Sequence, residues 1–117
     1  MEYGYIYLIR NSHFEYKIGM TKQNVNRRLK QLQTGNSEDL ELVKYLMVEN
    51  YKKVEKSLHN HFSHKRINRE WFNLSKNDVY DFEKNIRKYE KVIIDFNEGA
   101  KKNGLDFYIW YIYYYED

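Results

Sequence analysis

The chain contains no cysteine and no proline. Lack of cysteine excludes disulfide staples, thiolate nucleophiles and cysteine-based zinc sites, and makes a reducing interior the simple expectation. Long apolar runs are also missing. None approaches the roughly 20 residues that a membrane-spanning helix needs. Met1 to Gly4 does not open the basic-then-apolar pattern of a secretory leader. These absences predict a soluble, cytoplasmic protein with no membrane partner.

Tyrosine is what the chain has in abundance: 13 of 117 residues, within an aromatic share of 18%. Its ring suits a core and its hydroxyl suits a wet interface. The length allows one compact domain with a single core. The net charge is +3, unevenly spread. Residues 1–74 carry 13 lysines and arginines against 8 acids, a net +5, and residues 75–117 carry 7 against 9, a net −2. A basic first part suits a phosphate-rich partner, although ordinary surface charge accounts for it equally well.

Tyr3 to Arg10 is aromatic and β-branched and predicts a strand. A turn at Asn11 to His13 leads to a second strand at Glu15 to Met20, forming an antiparallel hairpin. A helix follows, capped by Thr21 or Asn24 and stopped by Gly35, with Val25, Leu29 and Leu32 on one face. Leu40 to Val48 predicts a third strand, with Leu40, Leu42 and Leu46 in phase. Asn50 then caps a second helix with an apolar stripe of Tyr51, Val54, Leu58 and Phe62. Asn68 to Phe72 is a loop or short strand, its Trp71 and Phe72 most simply core.

The expected fold is therefore α+β: a small, mainly antiparallel three-stranded sheet flanked by helices in the order β-β-α-β-α, over residues 1–74. Residues 75–117 are expected to add a long helix and an aromatic tail. Ser75 and Asp78 form a capping pair. Val79, Phe82, Ile86, Tyr89, Ile93, Phe96 and Ala100 repeat at alternating spacings of three and four, a heptad seam that predicts one helix to about Asn103. The tail, Phe107 to Tyr115, is apolar or aromatic on both faces if it is a strand.

Five segments in order carry a family resemblance: Tyr5-Ile6-Tyr7, Tyr16-Lys17-Ile18-Gly19, Arg28 to Leu32, Glu55 to His59 and Glu70-Trp71-Phe72. Together they resemble the GIY-YIG nuclease superfamily, most closely its phage and viral branch, where the second motif often reads Lys-Ile-Gly. The resemblance spans about residues 3–74. It implies a divalent-metal-dependent DNA endonuclease that hydrolyses a phosphodiester bond, with Mg²⁺ or Mn²⁺ as cofactor. Tyr7 takes the place of the first-motif tyrosine, Lys17 that of the second-motif tyrosine, and Gly19 is the motif glycine. Arg28 corresponds to the helix arginine and Glu55 to the metal-binding glutamate. Asn68 matches a polar residue found after that helix in some members.

These residue types suit the chemistry. A carboxylate is the hard oxygen donor Mg²⁺ requires. Arginine neutralises charge gained by the phosphate in the transition state. A tyrosine hydroxyl can orient a water. At about 100° per residue, Arg28 and Glu55 each fall at the edge of their helix's apolar stripe, and Arg27 points to solvent. Lys17 departs from the pattern, because a protonated lysine clamps a phosphate and cannot act as the base. Tyr16 is on the opposite face of the strand, whereas Tyr5 and Tyr7 share one, so either could serve.

His59 is a candidate proton carrier or a surface residue. His61 falls within the apolar stripe and is expected in the core or in the wall of the active site. Neither forms a helix-face pair with the other, which argues against a histidine zinc site that includes His64. Lys52, Lys53, Lys56, Lys65, Arg66 and Arg69 crowd the second helix and the loop after it. With Lys17, Arg27 and Asn68 they are the candidate DNA-binding residues. Two alternatives stand beside the endonuclease: a DNA-binding module that keeps the fold and has weakened cutting, and a small phage or viral effector that binds a protein partner. The seam and the aromatic tail also predict a homodimer through residues 75–117.

Overall fold

The computed structural model describes residues 3–88 and the backbone of 92–95. Two strands open the chain: β1 (Tyr3–Arg10) and β2 (Tyr16–Thr21), antiparallel neighbours with Tyr7 opposite Gly19 and Ile9 opposite Lys17. Helix α1 (Val25–Thr34) is capped by Asn24, whose side chain accepts the Arg27 backbone N–H, and it ends at Gly35. Such a cap stabilises a helix by about 1 kcal/mol.

Strand β3 (Glu41–Glu49) pairs with the other edge of β1. Helix α2 (Tyr51–His61) follows Asn50, which sits at the helix start in the left-handed region at φ 52. Asparagine tolerates that region better than most residues. The expected stripe Tyr51, Val54, Leu58 and Phe62 is buried in full.

The sheet is larger than the expected three strands. Among the described residues it has six, in the order β4-β5-β2-β1-β3-β6. Strands β4 (Arg66–Asn68) and β5 (Trp71–Phe72) form a tight hairpin on β2, turning at Arg69 with φ 47. Strand β6 (Val92–Asp95) adds to β3. The single long helix also gives way. The Ser75–Asp78 capping box is present, but the helix it starts, α3 (Lys76–Tyr80), stops at Asp81. A second short helix, α4 (Phe82–Arg87), follows.

The physical reason lies in competition for the same apolar residues. Phe82 and Ile86 are fully buried against the sheet. The β-branched run Val92-Ile93-Ile94 takes the ladder hydrogen bonds offered by the β3 edge. The seam on which a homodimer was expected is thus partly consumed within the fold. Tyr89, Phe96, Ala100 and the aromatic tail lie outside the described residues.

Side chains divide between two cores. On one face Ile6, Leu8, Ile18, Leu46 and Val48 pack with α2 and α4. On the other, Tyr7 and Ile9 pack with Val25, Leu29 and Leu32 of α1. Leu40, Leu42 and Leu46 do not share a face as their even spacing predicts. The register between β1 and β3 shifts at Leu8/Ile9. Leu42 accordingly joins the α1 core and Leu46 the other, because one extra residue in a strand inverts every side chain beyond it. No helix among the described residues is long and apolar enough to cross a membrane.

Candidate active site

The site begins with an aromatic ring laid across a glycine. Tyr7 and Gly19 are cross-strand partners whose side-chain directions share a face. A methyl group added at Gly19 would lie well under 3.0 Å from the outer ring atoms and hydroxyl of Tyr7. The ring therefore occupies the space a β2 side chain would take, and its hydroxyl reaches across that strand.

Arg28, on α1, donates to the Gln31 side-chain oxygen at 3.4 Å, and its guanidinium acts on the Tyr7 hydroxyl. Burial pushes the Tyr7 phenol above its ordinary value. Arg28 opposes the rise, and the charges of Glu70 and Glu55 add to it. Tyr7 is thus a neutral hydroxyl at pH 7.

Glu55, Glu70 and Lys17 complete the cluster. Burial, with the nearby charge of Glu70, raises the Glu55 carboxyl from 4.5 to about 7, and Lys17 pulls it back in part. Lys17 itself forms an ion pair with Glu70, with its side chain only 13% exposed. The two helices stand on opposite faces of the sheet, so Arg28 and Glu55 do not meet on a single concave face as their stripe-edge positions suggest. What they share is Tyr7, whose hydroxyl is influenced by both charges.

His59 holds that edge in place. Its Nε2 donates to the Ile18 carbonyl at 2.8 Å, and its ring stands edge-on to Phe72 at 5.1 Å. The Ile18 N–H donates to the Glu70 carbonyl at 3.1 Å. One β2 residue thus ties α2, one turn beyond Glu55, to the β4–β5 hairpin that carries Glu70. His59→Ala is expected to cost about 1–2 kcal/mol through the lost donor. It should also let the Glu55 carboxyl fall toward its ordinary 4.5, and His59→Gln should restore part of both. Denaturant melts and carboxyl NMR titration measure the two effects. An unchanged Glu55 titration in His59→Ala would refute this role.

Tyr5 is half-buried on the Tyr7 face, edge-on to Tyr45 at 6.2 Å. Arg27, Lys52 and Lys56 are exposed on the helices, and Arg66, Asn68 and Arg69 on the hairpin. Lys65 is engaged with Asp78 in an ion pair, and Arg66 lies over the Phe72 ring. His61 is exposed, against the expectation of a core or wall position, with its ring edge-on to Phe62. Phe62, the next residue, fills the core at the end of α2 and leaves His61 on the outside. Among the described residues, no group of three or more histidines or acids could hold a metal.

Sequence reasoning treated Glu70 only as part of a motif. Glu70 follows Arg69, which turns the hairpin in the left-handed region, and its carboxylate pairs with Lys17. A charged residue at a tight turn beside a buried aromatic pair was the available signal.

Chain topology and site together define an α+β domain with a buried tyrosine, a half-buried arginine and two carboxylates around β2. The chain belongs to the T5orf172 domain family, whose model matches residues 4–87. This is a phage-associated domain related to GIY-YIG-like nuclease families. No curated protein and no solved structure matches the chain.

Proposed function

We propose that this domain is a GIY-YIG-type endonuclease, of the phage and viral branch, that hydrolyses a phosphodiester bond of DNA with a divalent cation. The observation that carries the reading is the buried Tyr7, its ring laid over Gly19 and its hydroxyl subject to the Arg28 guanidinium and to the charges of Glu70 and Glu55. A neutral hydroxyl, a guanidinium and carboxylate oxygens at one edge are the groups that phosphoryl transfer to water requires.

The donor set fits a hard divalent cation. Burial, and after it the charge of Glu70, raises Glu55, and a bound cation would offset both. Glu55 would hold it, with Glu70 beside it. When bound, Mg²⁺ or Mn²⁺ polarises the phosphate and acidifies a water.

The protein's own groups do the rest. Arg28 neutralises charge on the phosphate oxygens and fixes the Tyr7 hydroxyl. Tyr7, kept neutral by burial, orients a water or a phosphate oxygen by hydrogen bonding and does not serve as the base. Lys17, engaged by Glu70, tunes the charge of the site. Arg27, Lys52, Lys56, Arg66 and Arg69 offer exposed cations to the DNA backbone.

The ion pair of Lys17 also favours a second reading, a DNA-binding module with weakened cutting, since the lysine is held by a protein carboxylate. Conversion of supercoiled plasmid to nicked circle in Mg²⁺ or Mn²⁺ decides between them. Cutting that EDTA stops, and that falls at least about 100-fold in Arg28→Ala, is expected. Salt-dependent DNA binding without cutting would leave the second reading. Absence of both would leave the effector that binds a protein partner.

A further inference from the structure

On the α1 side of the sheet, beside the catalytic edge, lies an open cleft of about 890 Å³. Lys17 and Glu70 line it, so it shares a wall with the site. Its apolar lining is Leu32, Leu40 and Trp71, each partly exposed to solvent. Asn36 and Asn68 add side-chain amides, and Arg69 adds a cation.

We infer that this cleft receives one unpaired nucleobase of the strand whose phosphate lies at the Tyr7–Arg28–Glu55 site. The inference rests on the nuclease reading and names its substrate class. Four observations support it. The volume falls within the range of about 300–1,000 Å³ typical of small-ligand sites. Trp71 is a fixed platform, because its strand is paired to Lys17 of β2 and its ring packs with the α1 core. Stacking on such a ring tolerates any base.

The amides supply both donors and acceptors for a base edge. The Asn36 amide is held in orientation by the Glu38 N–H, which donates to its Oδ1 at 3.0 Å. Finally, exposed Arg69 is the chain neighbour of Glu70, which places a cation for the strand's phosphate between cleft and site. A base inside a continuous duplex offers neither a free face nor a free pairing edge. The cleft therefore selects a bulge, flap or single-stranded stretch over intact duplex.

The test uses the full chain without divalent cation, so that no strand is cut. Affinity is measured by fluorescence anisotropy for three DNAs: a duplex with one unpaired nucleotide, the same duplex with an abasic residue at that position, and a fully paired duplex. The unpaired base should tighten binding about tenfold over the abasic form, with the paired duplex close to the abasic one. Trp71→Leu should erase that difference and leave abasic binding as it was. Equal affinity of the unmodified protein for the base-bearing and abasic DNAs would overturn the inference, as would a preference that survives Trp71→Leu. Cutting without this preference removes the cleft's role and leaves the nuclease reading intact. Preference without cutting under Mg²⁺ does the reverse.

Discussion

Replacing Glu55 with glutamine is expected to lower strand cleavage by at least about 1,000-fold and, at pH 8, to raise thermal stability. The two effects have one origin. The Glu55 carboxyl is raised from 4.5 to about 7 by burial and by Glu70, so the folded state holds its proton more tightly than the unfolded chain does. Below about pH 4.5 both states carry the neutral acid and the residue costs nothing. Between the two values the unfolded chain has released its proton and the folded chain has not, so stability falls as pH rises. Above about pH 7 the whole cost is present.

Allowing for partial solvent screening, that cost is about 1–2 kcal/mol. Glutamine keeps the shape and carries no charge. The melting-temperature gap between variant and parent should therefore open from near zero at pH 4 to roughly 5–10 °C at pH 8. Mn²⁺ should stabilise the parent and leave the variant unchanged. A gap independent of pH would refute the buried-carboxylate account, and a variant that still cuts would refute the metal role.

The second large effect concerns Gly19. Alanine in a strand interior ordinarily stabilises by about 0.5–1 kcal/mol relative to glycine. Here the sign should reverse. The added methyl would fall on the Tyr7 ring, and that ring is 1% exposed and has no solvent side to move into. Overpacking of this kind costs about 1–3 kcal/mol. Moving the ring also displaces the Tyr7 hydroxyl from Arg28, so Gly19→Ala should lose about 1–3 kcal/mol of stability and most cleavage.

A double-mutant cycle isolates the cause. In a Tyr7→Ala background the same substitution should cost little or stabilise, giving a coupling of about 2 kcal/mol. Additive effects in urea melts would show that the glycine is needed for another reason.

Much of this protein is legible without a structure, and the reason is local. The aromatic and β-branched make-up of Tyr3 to Arg10 and the helical stripe Tyr51, Val54, Leu58 and Phe62 are each complete in a short window, and each forms the expected element. Asn24 and the Ser75–Asp78 pair cap helices through neighbours three residues away, so their chemistry is complete in a short window. The candidate residues Tyr7, Gly19, Arg28 and Glu55 stand out for a similar reason, since each sits in a short motif.

What the sequence by itself determined, then, was which segments could be strands or helices and which side chains could carry chemistry. Tertiary structure decided the rest, wherever two arrangements satisfied the same local pattern. Val79, Phe82 and Ile86 fit a heptad seam, yet the sheet buries Phe82 and Ile86 in its own core, and Val92 to Asp95 completes the β3 edge. A single register shift turned Leu42 and Leu46 to opposite faces. Above all, helices on opposite faces of a sheet bring Arg28 and Glu55 within reach of one tyrosine. No periodicity encodes that arrangement, because it depends on the Tyr7 ring filling the side-chain space of Gly19 on the neighbouring strand.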